Sequence, residues 1–98
     1  MYAIILDYTV PLDQIDEHLA EHVAWLDQHY AEGTFLASGR REPRTGGVIL
    51  ARDLPQDDLE AITATDPFAQ HQLATHTLVR FHPSKLAEAL ATHTDLLA

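Results

Sequence analysis

Histidine is the conspicuous side chain of this sequence. Seven occur among 98 residues, and imidazole is the side chain that titrates near neutrality without help from its surroundings. His18, His22 and His29 fall in a stretch where Leu12, Ile15, Leu19, Val23, Leu26 and Tyr30 recur every three or four positions, the spacing of an amphipathic helix. On a helical wheel His22 lies at the border between that apolar stripe and solvent, with His18, Trp25 and His29 on the shoulder further out. A residue so placed reads either as a half-buried imidazole bonded to backbone or water, or as an acid/base at the edge of a pocket. His18-Leu19-Ala20-Glu21-His22 also matches the H-x-x-E-H pattern of inverted zinc proteases. A catalytic zinc needs a third ligand and a cleft, however, and Glu21 points away from the stripe. His18 and His22 could hold an adventitious ion, but a solvated helix shoulder is the better account, and no functional metal site is expected.

Asp66-Pro67-Phe68 is the second candidate. Asp at an N-cap followed by Pro at the first helical position is ordinary capping chemistry, yet a capping carboxylate keeps a second oxygen that can accept from an imidazole N–H. The third is Ser38-Gly39-Arg40-Arg41, either a plain strand end or a hydroxyl and a backbone N–H facing a ligand, with two guanidinium groups beside them. Ser38, His22 and Asp66 have the residue types of a hydrolytic triad, but no nucleophile-elbow sequence surrounds Ser38. No Gly-rich phosphate loop is present, so no cofactor is expected.

The elements that must position these groups follow from pattern. Residues 2–9 are rich in β-formers and read as a strand whose Tyr2, Ile4, Leu6 and Tyr8 share one face and Ala3 and Ile5 the other. One long helix follows from Pro11, closed by Gly33. Thr34–Arg41 and Val48–Arg52 form a hairpin across a turn punctuated by Pro43, Gly46 and Gly47. A second helix opens at Pro55, breaks at Thr65–Asp66 and resumes at Pro67. Thr75–His82 is a fourth strand, and Pro83-Ser84 starts a terminal helix carrying Leu86, Leu90 and Leu97. The order β-α-β-β-α-β is the α+β, ferredoxin-like split plan: residues 1–98 form one domain, a four-stranded antiparallel sheet with both long helices on one face and a C-terminal helix. The other face of the sheet is then apolar and uncovered, which predicts a homodimer packed through it.

Composition narrows the field. At 46% hydrophobic and 21% charged residues the chain is globular. A net charge of -9 repels a phosphate backbone and an anionic lipid surface alike, which argues against nucleic-acid and membrane partners. Arg40, Arg41, Arg44 and Arg52 cluster in one stretch and predict a locally positive rim. Without cysteine there is neither a disulfide framework nor a thiolate nucleophile. No apolar run spans a bilayer, and Asp7 interrupts the first strand where a signal peptide would need its apolar region. A cytoplasmic protein is the expectation.

His22 followed by Trp25-Leu26, then Gly33, Leu36-Ala37-Ser38-Gly39, Gly46-Gly47 before an apolar strand, and Asp66-Pro67-Phe68 near the last strand together resemble the YciI-like (YCII-related) family over residues 1–82. The resemblance implies a dimeric α+β barrel and a His–Asp active site that lands on His22 and Asp66, with Ser38 as a pocket serine. Gly39, Arg40 and Trp25 join Ser38 as the expected substrate contacts. The family's small-Gly-Pro turn reads Ser38-Gly39-Arg40 here, and His18 or nearby acids replace an upstream arginine. A carboxylate accepting from one ring nitrogen fixes an imidazole's tautomer and favours its protonated form, which suits proton abstraction beside a carbonyl or elimination of a leaving group. The expected activity is that of an isomerase or lyase on a small cyclic or carbonyl compound, with Ser38, the Gly39 N–H and Arg40 or Arg41 as donors to the developing enolate. The rival is a non-catalytic dimeric ligand-binding or accessory module of the same fold.

Overall fold

Strand β1 (Tyr2–Tyr8) sorts the molecule into two sides: Tyr2, Ile4 and Leu6 are buried, while Ala3 and Ile5 on the opposite face are half-buried. In the computed structural model, which describes residues 1–96, β1 pairs with β3 (Gly46–Ala51) and β4 (Ala74–Arg80), and β3 with β2 (Phe35–Arg40). All three pairings are antiparallel and the order is β2-β3-β1-β4. Helices α1 (Leu12–Glu17), α2 (Leu19–Ala31), α3 (Gln56–Ala64) and α4 (Pro67–Gln70) complete the βαββαβ plan. The core lies between helices and sheet, where Ile15, Trp25, Phe35, Ile49, Leu59 and Phe68 meet Tyr2, Ile4 and Leu6.

Two glycines act through geometry. Gly33, just past the α2 C-cap, has φ +81°, the left-handed conformation that lets Thr34 N–H reach back to the His29 carbonyl at 3.0 Å. Gly46 does not end a turn, as its sequence suggests, but opens β3 against β1. A Cβ there would sit 1.8 Å from the Leu6 carbonyl oxygen; only a bare Cα lets these strands close.

The expected single helix from Pro11 is two. His18, at φ −111° and ψ 8°, ends α1 and starts α2, and its carbonyl receives the His22 N–H at 3.1 Å. The break changes which face of α2 is buried. His22, Trp25 and His29 point inward, whereas Leu19, Val23 and Tyr30 are exposed, so the buried stripe is the aromatic shoulder rather than the aliphatic row. His29, expected at the surface, is 6% exposed. The physical reason lies in stacking: the α2 rings pack on Phe35 and Phe68, with the His22 and Phe68 ring centroids 4.1 Å apart and the rings 7° from parallel.

The terminal helix expected from Pro83 is extended chain carrying two 3-10 turns, Glu88–Leu90 and Thr94–Leu96. Short helices are marginal in water without a packed face, and here Leu86, Leu90 and Leu96 share a groove with Leu36 and Leu50 on the sheet's helix-free side. Leu97, expected beside them, lies outside the described residues.

Candidate functional site

Asp66 ends the α3–α4 connection and caps α4: its Oδ1 accepts from the Phe68 N–H at 3.0 Å. The cap is completely buried, at 0% exposure. The same Oδ1 lies 2.8 Å from His22 Nδ1, and Oδ2 lies 2.7 Å from His76 Nε2. Three elements therefore meet on one carboxylate, α2 through His22, α4 through Phe68, and β4 through His76. Burial by itself pushes the Asp66 carboxyl up, but the hydrogen bonds from His22 and His76, the charge on His22 and the Phe68 N–H outweigh it and hold the group below the usual carboxylate range. An ionised carboxylate only accepts, so His22 donates through Nδ1–H and His76 through Nε2–H. That assignment leaves Nε2 of a neutral His22 as a bare acceptor.

The His22 ring borders a cavity. A cleft of about 160 Å³ runs between α2 and the β2-β3-β1 side of the sheet, lined by His22, Ser38, Gly39 and Arg40, with Leu19, Val23 and Leu26 as its apolar wall. His22 Nε2 has no hydrogen-bond partner among the described residues. The exposed Leu19 and Val23, anomalous as parts of a core stripe, are accounted for as cleft surface. Ser38 Oγ pairs with Tyr30 Oη at 2.6 Å. It has no hydrogen bond to His22 among the described residues, so the hydrolytic triad is not assembled.

Arginine placement revises the positive rim. Arg41 pairs with Asp7, Arg44 with Asp16 and Arg52 with Asp95. Arg40 alone of the four has no carboxylate partner among the described residues, and it is the one on the cleft. Trp25 stands elsewhere: its Nε1–H donates to Thr65 Oγ1 at 2.9 Å, and its ring lines a separate groove with His29 and Pro67. It braces the residue before Asp66 and does not line the cleft.

His76 is the member that sequence reasoning passed over. The signal was present but weak. In an alternating strand His76 shares a face with Leu78, and the register Leu6↔His76 and Ile4↔Leu78 turns that face toward the helices.

A search of curated proteins yields no match. Among solved structures the chain is similar to 5-chloro-2-hydroxyhydroquinone dehydrochlorinase (TftG) from Burkholderia phenoliruptrix AC1100 in complex with 2,5-dihydroxybenzoquinone, with a TM-score of 0.70 and 20% identity over 85% of this chain and 96% of that one. At that identity the likeness speaks for the fold. The profile of the YCII-related domain matches residues 1–95, and on that match the chain belongs to the YCII-related family.

Proposed function

We propose that the protein is a small-molecule enzyme of lyase or isomerase type in which His22 takes and returns a proton while Asp66 orients it. The observation that supports this best is the division of labour on one imidazole. Nδ1 is bound to a buried carboxylate, Nε2 is left without a protein partner among the described residues, and the ring borders the cleft.

The chemistry follows from the groups present. His22 Nε2 removes a proton from a carbon beside a carbonyl, the C–H pair moving onto the carbonyl oxygen as an enolate, or from a ring hydroxyl, whose oxygen keeps the pair as a phenolate, the enolate's aromatic counterpart. The Ser38 hydroxyl, set by Tyr30, and the Arg40 guanidinium stand on the same cleft to stabilise that charge, with the Gly39 backbone beside them. Collapse of the enolate then either expels an anionic leaving group, giving a lyase, or takes the proton back at another carbon, giving an isomerase. The imidazolium formed in between faces the Asp66 carboxylate. Leu19, Val23 and Leu26 offer an apolar wall to a ring. Trp25 acts through Thr65 as a positioning residue for Asp66. We further propose that the protein works as a homodimer, with a second copy over the sheet face that lacks helices.

A panel of hydroxylated benzoquinones and their chlorinated hydroquinone counterparts, the compound class bound by the similar dehydrochlorinase, tests the reading by chloride release. The His22→Gln variant should lose roughly 10²–10⁴-fold in turnover, the usual contribution of a positioned acid/base. Turnover unchanged in His22→Gln contradicts the proposal, and binding at Ser38–Arg40 without turnover by wild type assigns the accessory-module alternative.

A further inference from the structure

On the flank of α2 away from the cleft, three metal-ligating side chains converge. Glu21 Oε1 lies 3.6 Å from His18 Nδ1 and Glu21 Oε2 lies 3.6 Å from His71 Nε2. Potential ligand atoms of the three residues all fall within 4.8 Å of one another. Such separations are too long for good hydrogen bonds. They do match the edges of a coordination shell, since ligands about 2.1 Å from a tetrahedral ion stand roughly 3.4 Å apart. His18 Nδ1 adds an independent sign: it is a buried nitrogen with no hydrogen-bond partner among the described residues, a state that folded proteins rarely leave unanswered.

We propose that His18, Glu21 and His71 form a binding site for a divalent transition-metal ion of the zinc type, with two imidazole nitrogens, one carboxylate and the remaining position open to water. The ligand set favours zinc over magnesium, which prefers oxygen ligands throughout. None of the three residues lines the cleft, so the ion would sit apart from the His22 site. His18 is the joint between α1 and α2, and His71 caps the end of α4. The ion therefore staples together the elements that carry His22 and Asp66. In the H-x-x-E-H pattern, His71 replaces His22 as the second imidazole because His22 Nδ1 is committed to Asp66. Glu21 and His71 are exposed, which makes the ion exchangeable.

The full chain, stripped with chelator, is titrated with zinc chloride by calorimetry at neutral pH, with magnesium chloride as control. Wild type should bind one zinc per chain and no magnesium, and zinc should raise its Tm. His71→Ala, at an exposed position that leaves the core intact, should weaken zinc binding at least tenfold and abolish the Tm shift, while His93→Ala, outside the cluster, keeps both. Circular dichroism checks that each variant is folded. Zinc affinity retained in His71→Ala, or a wild type that takes up no zinc, overturns the proposal.

Discussion

Asp66 carries three donors on two oxygens with no exposure to water, so exchanging it for an amide of the same shape isolates what its charge does. In Asp66→Asn the amide nitrogen confronts at least one N–H, and a buried donor left unpaired costs about 1–3 kcal/mol. Urea unfolding at neutral pH should show a loss of that size. The carboxyl is held below its unfolded value near about 3.9, so its stabilisation is present above that pH and is lost as pH falls through the lower, folded value. The gap between wild type and Asp66→Asn should therefore narrow in acid, and a gap that stays constant into strongly acidic solution would contradict an ionised Asp66. At this scale much could be read without coordinates. Asp66-Pro67 announces a cap by residue type, and His22 stands out at the edge of an apolar pattern. His76 could not be singled out, because a histidine in an alternating strand looks the same whether its neighbour across the fold is a carboxylate or water.

The elements obey their periodicities until tertiary packing overrides them. The strands and the interrupted second helix formed near their expected limits because β-branched runs, Pro and the Asp66 cap are local signals. The break at His18 and the burial of His22, Trp25 and His29 depend on which rings α2 meets in Phe35 and Phe68, a matter no wheel contains. The C-terminal stretch failed as a helix for the same reason, its leucines being drawn to the sheet. Strand closure supplies the sharpest prediction here. Gly46→Ala places a methyl group on the Leu6 carbonyl, forcing β1 and β3 apart, and overpacking of this kind costs typically 1–3 kcal/mol or more. Denaturant unfolding should show a lowered midpoint, with β1 amides exchanging faster. An unaltered midpoint would mean that the two strands do not approach so closely.

Across the whole molecule, acidic charge is distributed so that Arg41, Arg44, Arg52 and Arg80 are paired with carboxylates, while Arg40, at the cleft, has no such partner among the described residues. Among the described residues no helix is long and apolar enough to cross a membrane. The sheet's helix-free face presents Ala3, Ile5 and Val48 beside the groove that Leu50 shares with the C-terminal leucines, with Val79 opposite Ala3 and 48% exposed. A second copy would bury this surface against its own equivalent. Light scattering at micromolar concentration should then give twice the chain mass, and Val79→Lys, which puts a charge on the face without touching the core, should shift the mass toward one chain. A wild-type mass of a single chain would contradict the dimer and leave the His22 cleft standing by itself.

The partnership of His22 and Asp66 can be read from the imidazole nitrogens. Nitrogen-15 NMR of neutral His22 should show Nδ1 protonated and Nε2 bare in wild type, with that preference lost in Asp66→Asn. A wild-type ring protonated at Nε2, or a tautomer indifferent to the loss of the carboxylate, would show that Asp66 does not direct the base and that the catalytic assignment is mistaken.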